Sequence, residues 1–150
     1  MKKNKCFTLA EFLIVVAIIG VLVAISIPIF NSQLEKSRDA VSVANIRAAY
    51  AQAQTAILTK TNSDADYDGD VKFTKAASTT EGPTVKVRNV AIKSQKANNW
   101  SDLANELPWI NGTTLTVENA PADGGKADKY VVTFKYDSDL NITEVSYNAD

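Results

Sequence analysis

Four acids in one short loop are the first candidates for chemistry. In NSDADYDGDVKF, Asp64, Asp66, Asp68 and Asp70 fall at alternate positions, and Gly69 precedes the last of them. Oxygens spaced this way can converge on calcium while glycine makes the turn, as in the first half of a helix–loop–helix calcium loop. Lys75 stands where the closing bidentate acid would be, so Glu81 or Asp139 would have to complete the set from elsewhere in the fold. Two readings stay open, a calcium site and a solvated acidic loop following a helix. A second cluster is basic: Lys86, Arg88, Lys93 and Lys96, with Trp100 nearby. Basic residues beside an aromatic suit nucleic-acid phosphates and bases. The alternative is a solvated strand face.

Composition narrows these choices. The 150-residue chain has 16 basic and 17 acidic side chains, and Lys2, Lys3 and Lys5 sit together at the N-terminus. Without those three the remainder is acidic, which argues against DNA as a partner. There is no histidine, and Cys6 is the only cysteine. Zinc sites of the Cys/His type, a Ser-His-Asp triad and an intramolecular disulfide are therefore excluded. No phosphate-binding glycine loop and no nucleophile elbow occurs. The reading is that of a non-enzyme.

The remaining acid of interest is Glu11. From Phe12 to Phe30 every residue is apolar or small except Ser26. About 19 residues at ~1.5 Å each reach roughly 29 Å, the thickness of a bilayer core. The run is too long for an ordinary signal-peptide core, and the lysines ahead of it favour a cytoplasmic N-terminus. Lipidation at Cys6 is rejected, because the apolar segment follows the cysteine. A charged side chain at the bilayer centre costs ~3 kcal/mol, so Glu11 needs a partner. Gly20 and Pro28 loosen the helix inside this segment, Pro28 by denying the carbonyl of Ala24 a donor.

Beyond Pro28 a helical pattern continues to Lys60 with two adjacent apolar stripes. One is Leu34, Val41, Ala44, Ala48, Ala51, Thr55 and Leu58; the other is Val43, Ile46, Tyr50, Ala53 and Ile57. One stripe can pack on the chain's own globular part and the other on neighbouring copies. A continuous helix from Phe7 to Lys60 is about 80 Å long. Strand patterns follow in GPTVKVRNVAIK, with a parity slip near Asn89, in TTLTVE, in KYVVTFKY and in ITEVSY. The last two form a hairpin across Asp137–Asn141, and a short helix at Ser101–Glu106 is capped by Ser101. The expected class is α+β, a long N-terminal α-helix packed on an antiparallel sheet of three or four strands. The expected divisions are 1–6, 7–30, 31–60 and 61–150.

The stretch CFTLAEFLIVVAIIGVLVAISIP resembles the class III leader and N-terminal helix of type IV pilins and their relatives. Phe7, Thr8, Leu9, Glu11, Gly20 and Pro28 fall in register with that family's pattern. The resemblance covers about the first 30 residues, and the helix-plus-sheet layout extends it in outline. It implies the type IV pilin fold, cleavage between Cys6 and Phe7 by a prepilin peptidase, and N-methylation of Phe7. It also implies single-pass storage in the cytoplasmic membrane, then a homo-oligomeric extracellular filament built by an assembly platform and ATPase and serving adhesion or motility. Glu11 of one subunit would pair there with the Phe7 amine of another. Two departures stand out: Cys6 replaces the usual glycine before the cut, and Ala48 stands where many Gram-negative pilins carry a further proline. A pseudopilin of a secretion or competence system is the alternative. A membrane-tethered module binding calcium or DNA is the second.

Overall fold

A computed structural model describes residues 7–59, 67–76, 78, 81–96, 99–109 and 127–150. The expected strand TTLTVE, Lys60, Cys6, Asp64 and Asp66 lie outside the described residues. One helix, α1, runs Leu9–Thr59 without interruption at Pro28. Four strands follow: β1 (Val71–Thr74), β2 (Glu81–Val90), β3 (Tyr130–Asp137) and β4 (Ile142–Ala149). A 3₁₀ helix spans Asn99–Glu106 between β2 and β3. The strands form one antiparallel sheet in the order β1-β2-β3-β4. This is the expected α+β, type IV pilin-like arrangement of long helix and small sheet.

The chain divides into two compact units between Leu34 and Glu35, within α1. In the first, every described residue from Phe7 to Leu34 is exposed. The second has a core. Val43, Ile46, Ala49, Ala53 and Ile57 of α1 are buried with Val85 and Val87 of β2 and Tyr130, Val132, Phe134 and Tyr136 of β3. Alternation along the strands brings the apolar set to one face, because side chains of a strand point to opposite sides in turn. Aromatic rings close the gaps: Trp109 lies 5.7 Å from Tyr50 and 5.5 Å from Phe134 between ring centroids. Of the two helical stripes, the one through Ile46 and Ile57 is the core stripe. The other stays exposed, with Leu58 at 82%.

Both irregularities of β2 have local causes. The parity slip is present, with a register shift between Val87 and Val90 and Asn89 at φ 62°. A second shift falls between Glu81 and Thr84, where Gly82 presses on the end of β3. A Cβ on Gly82 would overlap the backbone carbonyl of Asp137. The β3–β4 hairpin turns as expected. Asp137 accepts from the backbone N–H groups of Asp139 at 2.9 Å and Asn141 at 2.8 Å, and its carboxyl is held below the usual range, chiefly by the Asn141 bond.

The expected helix at Ser101–Glu106 requires correction. Ser101 does not cap it: Trp100, Ser101 and Asp102 all have φ between 52° and 70°, the left-handed region, inside the 3₁₀ segment. Non-glycine residues there cost of order 1–3 kcal/mol each and persist only when surroundings hold them. Here the fully buried Trp100 ring packs edge-on to Tyr147 at 6.1 Å, and the Ser101 hydroxyl is engaged elsewhere.

Two outcomes follow. Gly82→Ala should lower stability by about 1–3 kcal/mol, because the added methyl has no space; a denaturant midpoint reads this. Burial pushes the Tyr136 phenol above its ordinary value, and among the described residues its hydroxyl has no hydrogen-bond partner. The folded state then keeps a proton that the unfolded chain loses at ~pH 10, so stability falls as pH rises beyond that point. Tyr136→Phe should raise the alkaline unfolding midpoint and leave neutral-pH stability unchanged or higher.

Candidate functional site

The N-terminal end of α1 is the first candidate. Thr8 is the N-cap and Glu11 the third helical residue. The Glu11 carboxylate accepts from the Thr8 N–H at 2.8 Å and from the Thr8 hydroxyl at 2.7 Å, while the Glu11 N–H donates to the Thr8 hydroxyl at 3.2 Å. This is a capping box. Its signature, Thr-x-x-Glu ahead of an apolar run, stands in the sequence, so Glu11 has a partner within its own chain as well as the intersubunit one expected for it. The acid also sits in the first turn, where the helix dipole favours negative charge. Cleavage ahead of Phe7 would leave the Thr8 amide in place, so the box survives it.

From Phe12 to Phe30 the apolar side chains are exposed all round the helix. A helix apolar on every side needs lipid or other helices. By length and composition this one can cross a membrane. Gly20 has open space around it and Pro28 lies within the continuous helix. Ser26, the one hydroxyl in the run, donates to the carbonyl of Leu22 at 2.7 Å, so it adds no unsatisfied donor.

Of the acidic loop, Asp68 and Asp70 are among the described residues. Asp68 is exposed and its backbone pairs with Val71. Asp70 accepts from the amide of Asn89 at 2.5 Å and faces the Arg88 guanidinium at 3.5 Å. Arg88 also donates to the carbonyl of Gly69 at 2.8 Å and lies over the Tyr67 ring at 4.7 Å. Among the described residues no three acid, cysteine or histidine groups gather as a metal site would require. The basic cluster does not form. Arg88 is committed to this loop, Trp100 is fully buried, and Lys93 and Lys96 leave the sheet on the segment after β2.

That segment is held by a polar stripe the sequence reading passed over. Glu35, Asp39, Ser42 and Asn45 recur at spacings of four, three and three on α1, and the first three are buried. Glu35 accepts from the backbone N–H groups of Gln95 at 2.7 Å and Lys96 at 3.0 Å, with Arg38 at 3.4 Å on its other oxygen. Ser42 accepts from Lys93 N–H at 2.8 Å and Ser94 N–H at 3.0 Å. Asn45 donates to the Ala91 carbonyl at 2.7 Å. Asp39, fully buried, accepts from the hydroxyls of Ser94, at 2.6 Å, and Ser101. Helical side chains thus supply the partners that residues 91–96 would otherwise find in a strand or in water.

The N-terminal 27 residues match the family model of the prokaryotic N-terminal methylation motif. The resemblance to type IV pilins holds. Over 71 residues, 47% of this chain and 32% of the relative, the sequence is 37% identical to the type IV major pilin protein PilA of Myxococcus xanthus (strain DK1622). Over 83 residues it is 37% identical to a fimbrial protein of Pseudomonas aeruginosa, covering 51% of this chain and 53% of that one. The matches therefore span about a third and about half of the length of these relatives. No solved structure gives a significant match.

Asp39→Ala removes the acceptor of two serine hydroxyls and releases the left-handed turn at Ser101. Hydrogen bonds to a buried charge are worth about 1.5–3 kcal/mol, so a loss of at least that size is expected. Equilibrium denaturation should show a lower midpoint with an unchanged slope.

Proposed function

We propose that this chain is a structural subunit of a type IV pilus filament, a pilin and not an enzyme. The observation that carries the reading is the helix that is apolar and exposed on every side and begins with the Thr8–Glu11 pair inside an N-terminal methylation motif. Such a surface suits two environments in succession, a bilayer and a bundle of like helices.

The proposed sequence of events follows from charge. Before assembly the helix rests in the cytoplasmic membrane with its lysines inside. A prepilin peptidase cuts between Cys6 and Phe7, and the new Phe7 amine keeps its positive charge when methylated. An assembly platform and ATPase draw the subunit into a filament on the cell surface, where it serves adhesion or motility. Glu11 has satisfied part of its acceptor capacity within its own chain through Thr8, and two oxygens leave room for a further donor. The Phe7 amine of a neighbouring copy supplies it. The pair fixes register more than it adds net stability, since an unpaired charge in an apolar core is strongly disfavoured while the pair's own contribution is small. Gly20 and Pro28 give the helix latitude to bend as it leaves the bilayer. Calcium has no part in this route.

Intact-mass measurement on the chain recovered from its native host tests the processing step. The expected product begins at Phe7 and carries one added methyl group. A surface-exposed chain that still holds its first six residues would sink this reading. Glu11→Val should leave membrane levels of the subunit within twofold of wild type and reduce shearable surface filament by more than tenfold.

A further inference from the structure

A small cleft opens where the β3–β4 turn meets α1. Its volume is about 180 Å³, and every described residue that lines it is neutral. Tyr50 and Gln54 reach it from α1, Trp109 from the turn after the 3₁₀ helix, and Leu140, Asn141 and Ile142 from the hairpin. Tyr50 and Gln54 are half-buried, and the Tyr50 ring is braced by Trp109 at 5.7 Å and Phe134 at 6.0 Å between centroids. Asn141 is fixed by its own turn. Its backbone N–H donates to the Asp137 carboxylate at 2.8 Å, its side-chain NH₂ donates there at 3.2 Å, and its backbone carbonyl accepts from the Asp137 N–H at 2.9 Å. The side-chain carbonyl of Asn141 is left as an acceptor. Leu140 is the unexpected member. It has φ 65° and is 49% exposed. Asparagine or glycine fills a left-handed turn position at less cost. A half-exposed leucine in that conformation is an outlier of the kind that gathers at binding sites.

We propose that this cleft binds one ring of a neutral saccharide. Its lining mixes the two chemistries that such a ring also mixes. The Gln54 amide offers a donor and an acceptor side by side, and adjacent sugar hydroxyls each give and accept. One hydroxyl donates to the fixed Asn141 carbonyl while its neighbour meets Gln54. The C–H face of the ring covers Tyr50, an aromatic with an apolar body and a polar tip, and Leu140 and Ile142 form the apolar wall. A wholly apolar ligand would bury both amides without partners, and a charged one would lose its hydration against neutral walls. The cleft is smaller than the ~300 Å³ at which sites for drug-sized ligands begin, so a single ring is the unit recognised. Leu140 then has a reason for its strained place: only there does the turn present an apolar side chain to the ligand. That the cleft serves adhesion rests on the filament reading; binding by the single chain does not.

The test uses the full chain in a polyoxyethylene detergent, which carries no sugar, so it does not depend on filaments forming. The methyl β-pyranosides of glucose, galactose and N-acetylglucosamine are titrated by ligand-observed NMR, with methyl β-glucuronide and cyclohexylmethanol as the charged and apolar rings. At least one neutral pyranoside should bind in the millimolar range and more tightly than either control ring. Gln54→Ala should weaken that binding about fivefold, the loss of one neutral hydrogen-bonding group, and Tyr50→Phe should also weaken it. Leu140→Asn should weaken it with a melting temperature close to wild type, since asparagine accepts the left-handed region. Gln52→Ala, an exposed residue on another face of α1, should change nothing. No pyranoside binding, tighter binding of a control ring, or wild-type binding by Gln54→Ala and Leu140→Asn would overturn the proposal. Each of those results would leave the filament reading standing, and a failure of Glu11→Val to affect filaments would leave this site standing.

Discussion

The folded part of this chain depends on one face of α1. From Glu35 onward that face changes character along its length. Its first turns present a carboxylate, a second carboxylate, a hydroxyl and an amide to residues 91–96 and Ser101, and its later turns present Ile46, Ala49, Ala53 and Ile57 to the sheet. The two halves do different work. Apolar burial is non-directional and holds the sheet against the helix, worth roughly 1.5–3 kcal/mol for each large side chain fully removed from water. The polar half is directional. It places a segment with no strand partners and keeps Trp100 and Ser101 in a backbone conformation they would not adopt alone.

That division also explains why the helix carries two buried acids in a small protein. A buried carboxylate is tolerable only when its oxygens are met by donors. Glu35 finds two backbone N–H groups and Arg38, and Asp39 finds two hydroxyls. Apart from Arg38, the donors come from chain more than fifty residues away, so the pairs specify which loop docks at which turn. Replacing them with apolar residues would remove that selectivity even where it left the helix itself intact.

Periodic features were the ones legible in the sequence. The class of fold, the long helix, the β2 and β3–β4 patterns, the slip at Asn89 and the hairpin at Asp137–Asn141 all follow from repeats of two or three to four residues. Choosing between the two apolar stripes did not, because Ala and Val serve either face equally well. Strand β1, four residues long, has too short a pattern to register beside the acidic loop. The stripe Glu35, Asp39, Ser42, Asn45 reads as a solvated face until the partner loop is seen, since charge alone does not distinguish an exposed acid from a satisfied buried one. The basic cluster failed for the opposite reason: residues near in sequence were sent to a loop, an ion pair and the core. The capping box is legible as Thr-x-x-Glu directly ahead of an apolar run.

At the N-terminus the same rule governs the account of assembly. An acid in an apolar setting must have donors at each stage, and Thr8 provides two in the single chain. The proposed filament adds a third from a neighbouring Phe7. The most direct measurement is electron cryomicroscopy of filaments sheared from the producing cells, at a resolution that shows side chains. The account predicts filaments built from this chain, starting at Phe7, with the Glu11 carboxylate within hydrogen-bonding reach of another subunit's terminal amine. Filaments lacking this chain, or a Glu11 that meets only its own Thr8 within the packed helices, would contradict it.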